Sequence, residues 1–126
     1  MLLDFMRLYP EDDGRAMKLK IKVINKKDNN FYPGQIYVGR GSVLGNKFII
    51  GKDGNRAEVI QKYEIWLRKS ISLKKKKVYN FMFSLLKKAR KKDRILYLEC
   101  FCKPLPCHGD IIKTILLEMD KEMGDK

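Results

Sequence analysis

The chain has 126 residues, 44% of them apolar and 10% aromatic, which is enough for one packed core and too little for two comfortable ones. Lys and Arg number 28 against 15 Asp and Glu; the net charge of +13 points away from cationic partners and toward polyanions, nucleic acid foremost, or else toward a solvated lysine face. No apolar run approaches the ~20 residues that span a bilayer, and the start MLLDFMRLYPEDDGRAM lacks a basic segment followed by an apolar one, so a cytoplasmic protein without membrane contact is expected.

Residues 1–17 are acidic at EDDG and show no periodicity. They read as a loose extension, with Met17 an alternative start, ahead of a single domain over 18–126. KLKIKVIN (18–25) alternates lysine with Leu19, Ile21 and Val23, the pattern of a half-buried strand. QIYVGR (35–40) reads as a second short strand running into the glycine-rich stretch GRGSVLGN. KFII (47–50) reads as a third, stopped by the turn signal GKDGN.

A helix follows. Asn55 and Glu58 have capping-box spacing, and Ile60, Tyr63, Trp66 or Leu67, and Ile71 recur on one face. Trp66 on that face reads as core packing rather than base stacking. A second helix is expected from about Lys76 to Lys91, with Tyr79, Met82, Phe83, Leu86 and Ala89 apolar and the lysines opposite. RILYLEC (94–100) is the strongest strand signal, and DIIKTILLEMDKEM (110–123) the last helix. Strands alternating with helices predict an α/β domain with a central, mostly parallel sheet and packed helices, either a Rossmann-like three-layer arrangement or a reduced variant.

All three cysteines and the one histidine fall in LECFCKPLPCHGD (98–110). An odd cysteine count cannot close a disulfide framework within one chain, and in a reducing compartment such clusters serve metal, catalysis or redox sensing. Cys107 and His108 stand between a strand end and a helix start, where open α/β sheets place ligands and where the helix dipole favours anions and thiolates. Three readings remain open. Cys102 or Cys107 acts as nucleophile with His108 or Asp110 as base or orienter. Alternatively Cys100, Cys102, Cys107 and His108 hold zinc, although C-x-C-x₄-C-H is unlike the usual paired knuckles. In the third reading the segment is structural: Cys100 a core residue, Asp110 a helix N-cap and His108 a polar loop residue. Glu99 would face away from Cys100.

The stretch YVGRGSVLGNKF (37–48) is the second candidate. Its glycines permit close backbone approach, Arg40 offers a fork of donors suited to phosphate, and Ser42 and Asn46 add hydrogen bonds. It matches neither the P-loop nor the dinucleotide fingerprint. Arg56 is a weaker candidate for a second anion contact.

These stretches together, YVGRGSVLGNKF, then IGKDGNRAEVIQKYEIWL, then CFCKPLPCHGDII, resemble the family called domain of unknown function 4326 over about residues 20–118. Members share an arginine–glycine turn ending in G-N-x-F, a D-G-x-R helix start, and C-W-C-x-P-x-P-C-H-G-D. Phe101 stands where tryptophan is common, and the Lys74–Lys92 region is longer and more basic than usual. The resemblance implies no established activity; the settings in which members occur suggest nucleotide or nucleic-acid metabolism. It marks Arg40, Gly41, Gly45, Asn46, Cys102, Cys107, His108, Gly109 and Asp110 as signature positions.

The expectation is a small enzyme or enzyme-like binder of a phosphate-bearing ligand such as a nucleotide. Arg40, Gly41, Ser42, Gly45, Asn46 and Gly109 would hold the ligand, and Cys102, Cys107, His108 and Asp110 would carry any chemistry, in one pocket at the sheet edge. No cofactor is required unless zinc occupies the cysteine cluster. The alternatives are a non-catalytic nucleic-acid-binding module using the Lys74–Lys92 helix face, and a zinc-stabilised structural or interaction domain.

Overall fold

A computed structural model describes residues 19–28, 32, 34–91, 94–100, 105 and 107–123. The expected extension at 1–17 lies outside them, as does Cys102. Three strands, β1 (Ile21–Asn25), β2 (Ile36–Tyr37) and β3 (Leu96–Cys100), and three helices, α1 (Arg56–Ser72), α2 (Lys76–Ala89) and α3 (His108–Met123), make a small α/β fold. The sheet order is β1–β3–β2, with both pairings parallel.

β3 lies in the centre because its sequence tolerates burial on both faces. Leu96, Leu98, Glu99 and Cys100 are all buried, as a central parallel strand requires. β1 is an edge strand, and its lysines keep that edge solvated: Ile21 is buried opposite Leu96 while Lys22 is exposed. Glu99 faces away from the Cys100 side, as expected. There it accepts a hydrogen bond from the Gln35 amide and lies 3.9 Å from the Lys26 ammonium.

One face of the sheet carries the core. Ile21, Leu96 and Leu98 join Tyr63 and Leu67 of α1, Met82, Leu85 and Leu86 of α2, and Ile112, Ile115 and Leu116 of α3 in a single apolar cluster. All three helices share that cluster, and with the parallel sheet they make a small α/β domain. Trp66 packs against the cluster, as its helical position predicts. Arg68 of α1 bonds Glu118 of α3 at 2.8 Å, and Arg90 after α2 bonds Asp120 at 2.6 Å, fastening the helices at their polar margins.

Helix α1 begins as its sequence requires. The Asn55 side chain accepts from the Glu58 N–H at 2.9 Å and the Glu58 carboxylate accepts from the Asn55 N–H at 2.8 Å, completing the capping box. Helix α2 stops at Ala89, two residues before the expected end, and buries Val78 and Leu85 in preference to Tyr79 and Phe83, which stay half-buried against each other with ring centroids 5.5 Å apart.

KFII corrects an expectation. It forms no strand; a single bridge joins Ile50 to Gly54, and Ile49 and Ile50 are exposed. The reason is local competition for backbone groups. The Ile49 N–H donates to the Asp53 carboxylate at 2.8 Å, the Asp53 N–H returns to the Ile49 carbonyl at 2.8 Å, and the Gly51 N–H goes to the Gly54 carbonyl. A turn takes the donors and acceptors that a ladder would need. No helix among the described residues is long and apolar enough to cross a membrane.

Candidate functional site

Residues 38–48 leave β2 as a tightly tied loop at the carboxyl ends of the strands. The Val38 N–H bonds the Glu99 carbonyl at 2.9 Å and carries the sheet pairing into the loop. The Gly39 carbonyl then accepts from both the N–H and the hydroxyl of Ser42, at 3.1 and 2.7 Å, closing a turn through Gly41 at φ +91°. Arg40 spans that turn: one guanidinium nitrogen donates to the Asn46 carbonyl at 2.7 Å and the other to the Phe48 carbonyl at 3.3 Å.

Two contacts fasten the loop to α1. The buried Tyr63 hydroxyl donates to the Leu44 carbonyl at 2.6 Å, and the Asn46 amide reaches the Val59 carbonyl at 3.4 Å. Burial holds the Tyr63 phenol well above its ordinary pKa, with the neighbouring Cys107 adding to the shift, so the hydroxyl remains a donor at any working pH.

The cysteine segment meets this loop from β3 and α3. Helix α3 begins at His108, two residues before the expected start. Cys107 is its N-cap, and Asp110 sits in the first turn rather than at the cap. The Cys107 N–H donates to the Asp110 carboxylate at 3.1 Å, and the Gly109 N–H donates to the Cys107 sulfur. The Asp110 carboxylate bonds back as the third residue of a capping box does, while the Cys107 sulfur faces the N–H of the second helical residue. The two buried sulfurs of Cys100 and Cys107 lie 3.0 Å apart.

That environment reverses the expected acidity of Cys107. Its hydrogen bond with Cys100 and its burial push the thiol far above its ordinary pKa, and the Gly109 N–H only partly opposes them. Cys107 is therefore a protonated capping group in the resting protein, not a thiolate. Native protein should react with iodoacetamide at Cys107 at least tenfold more slowly than denatured protein at the same pH, read by peptide mass spectrometry. Labelling at the rate of a free thiol would contradict this assignment.

His108 is buried too. Its Nε2 bonds the Val38 carbonyl, and the ring stands edge-on to Tyr63 with centroids 5.0 Å apart. Nε2 is therefore the protonated nitrogen of the neutral ring, as assigned from its partner, and Nδ1 carries the lone pair. Burial, with Arg40 nearby adding to it, lowers the pKa from the ordinary 6.5, against the opposing pull of the Val38 carbonyl and Asp110. Between the folded and unfolded pKa values the unfolded chain binds more protons, so the stabilisation is whole above about pH 6.5 and is lost as pH falls through the folded value. Melting temperatures from pH 7.5 to 4.5 should drop more steeply for the wild type than for His108→Gln; parallel curves would refute the assignment.

Together these residues wall a cleft of about 200 Å³. Arg40, Asn46, Cys107 and His108 line it, so the two candidate stretches converge. Gly41, Ser42, Gly45, Gly109 and Asp110 do not line it; they shape the turn and the helix start behind it. Gly109 is explained by packing, since a Cβ there would stand 2.8 Å from a Val23 methyl of β1. Arg56, at the start of α1, also lines the cleft, as do Tyr37 and Phe48, whose roles the sequence pattern does not reveal. Among the described residues no three His, Cys, Asp or Glu side chains come together to hold a metal ion. Of the candidate zinc ligands, Cys100 and Cys107 touch each other, while the His108 Nε2 is committed to Val38.

A family model described as a domain of unknown function (DUF4326) matches residues 21–118, from the first residue of β1 to the end of the third turn of α3. The chain belongs to this family. All the residues that line the cleft lie inside the DUF4326 match. An uncharacterized 12.4 kDa protein in the nrdA-td intergenic region of Enterobacteria phage T4 is 32% identical over 103 residues, covering 80% of this chain and 82% of the phage protein. No solved structure matches the chain.

Proposed function

We propose that this DUF4326 protein binds a small phosphate-bearing ligand of nucleotide type in the cleft, acting in the cytoplasm as a small enzyme or enzyme-like binder. The observation that carries the reading is the state of Arg40. Two backbone carbonyls hold its guanidinium in place without neutralising it, and among the described residues it has no carboxylate partner. Among those residues the cleft wall contains no Asp or Glu at all. Arg40 is itself exposed at the cleft, and a guanidinium fixed by carbonyls and uncompensated by carboxylate favours a phosphate, whose oxygens its remaining N–H groups match.

The rest of the wall fits the remainder of such a ligand. Phe48, Ile50, Val59 and Ile60 offer an apolar surface for a flat base. Neutral His108, with its Nδ1 lone pair, is suited to accept a proton from a bound hydroxyl or water, which makes it the preferred general base. Cys107 assists as the residue that fixes the start of α3 and the position of His108. Titration calorimetry with nucleoside mono- and diphosphates should show binding with Kd below ~1 mM, and inorganic phosphate should compete. Absence of heat with every nucleotide tested would sink the proposal.

A further inference from the structure

A second cationic surface lies away from the cleft. Between Glu64 and Asp93 the sequence contains no acidic residue. Lys74, Lys75, Lys76 and Lys77 are all exposed where α1 passes into α2. For α2, whose first turn holds Lys76 and Lys77, this is the wrong end for positive charge, whereas the end of α1 just before it favours such charge. The N-cap Lys75 makes no side-chain capping bond, the first turn of α2 holds no acid, and Lys74 adopts the left-handed conformation at φ 52°. Lys74 and Lys75 close the end of α1, donating their N–H groups to the Ile71 and Ser70 carbonyls, but none of the four lysines has an ion pair among the described residues.

At the other end of α2, about 21 Å along the 14-residue helix, Lys87 and Lys88 are exposed, and Lys91 and Arg94 follow. Lys88, Lys91 and Arg94 wall a hollow of about 100 Å³ against Gly34, Ile36 and Leu96, at the amino ends of β2 and β3. The cleft lies at the opposite ends of those strands. Among the described residues Lys88, Lys91 and Arg94 have no carboxylate partner either, whereas Arg90, between them in sequence, is tied to Asp120.

We propose that this surface is a sequence-independent binding site for a nucleic-acid backbone, with the hollow seating one phosphate and the Lys74–Lys77 cluster meeting others farther along. Lysine supplies point charges rather than the forked contacts that read base edges, so the attraction follows phosphate and not sequence. An anionic membrane fits less well. Membrane helices insert apolar residues beside their lysines, and the apolar residues of α2, Val78, Met82, Leu85 and Leu86, are buried in the core.

Fluorescence anisotropy with a labelled duplex of about 20 base pairs tests this, titrated with the full chain from 50 to 200 mM salt. Binding should weaken steeply with salt. The variant Lys88→Glu/Lys91→Glu/Arg94→Glu should lose at least tenfold in affinity at low salt and reduce the slope of log K against log salt by about 1, the share of one phosphate. Lys75→Glu/Lys76→Glu/Lys77→Glu should also weaken binding, and because acidic residues suit a helix N-terminus it should melt no lower than wild type, which separates lost binding from lost folding. No binding by the wild type, a salt-insensitive affinity, or full affinity in both variants would overturn the proposal. So would binding to phosphatidylserine vesicles without binding to the duplex. Nucleotide titration of the same variants reports on the cleft separately, so the two readings fail independently.

Discussion

Arg40→Ala should weaken nucleotide binding to the cleft by ten- to a hundredfold. A hydrogen bond between charged partners contributes about 1.5–3 kcal/mol, and each 1.4 kcal/mol is tenfold in affinity. The substitution also removes two donors to the Asn46 and Phe48 carbonyls, so some stability goes with it, about 1 kcal/mol for each bond. Affinity must therefore be measured well below the variant's melting temperature. Arg40→Lys separates the two roles. It keeps the positive charge but cannot span two carbonyls, so it should recover part of the affinity and little of the stability. Equal nucleotide affinity in wild type and Arg40→Ala would remove the guanidinium from the site and the proposed function with it.

The same substitution bears on His108. Arg40 is one cause of its lowered pKa, after burial. Without the guanidinium the imidazole becomes easier to protonate, so the acid-side loss of stability should be smaller in Arg40→Ala than in wild type and should be complete at a higher pH. Charge on residue 40 and proton affinity at residue 108 are thus coupled across the cleft. That coupling suits a site in which an arriving anion would raise the basicity of the neighbouring ring: a bound phosphate offsets the positive charge that holds the proton off.

What the sequence made legible was local. The capping box at Asn55 and Glu58 needs only residues three apart, and the Leu96–Cys100 strand announces itself by an apolar, β-rich run that suits burial on both faces. The misread elements depend on partners that periodicity does not encode. KFII has strand propensity, but Asp53 captures the Ile49 N–H and the ladder never forms. The start of α3 is displaced to His108 because a cysteine, not an Asp or Ser, provides the cap. Cys107 looks acidic from its place at a helix N-terminus, and only the contact with Cys100, seven residues earlier, together with burial, reverses that. Arg40 stood out in sequence as a candidate for phosphate contact, yet its anchoring by backbone carbonyls and its proximity to His108 belong to the folded loop alone.

The glycines of the arginine turn separate two physical requirements, and Gly45→Ala should be the more damaging loop substitution. Gly41 is needed for its backbone angle: it sits at φ +91°, and a Cβ there would meet nothing within 4 Å. Asparagine tolerates positive φ better than other side chains, so Gly41→Asn should cost little. Gly45 is needed for space. A Cβ at that position would stand 2.6 Å from the Gly39 carbonyl oxygen and 3.1 Å from the Arg40 Cα, both backbone atoms that no rotamer change can move aside. Relief requires the two sides of the loop to separate, which strains the Gly45 N–H to Ser42 bond and the Tyr63 hydroxyl contact to Leu44. Overpacking of this kind costs about 2–3 kcal/mol, a fall in melting temperature of about 10 °C for a chain of this size. Because the displaced atoms include the Arg40 backbone, nucleotide affinity should fall as well, even at temperatures where the variant is fully folded. A Gly45→Ala protein that melts and binds like wild type would mean that the two sides of the loop do not approach this closely, and that Arg40 is held by something other than this turn.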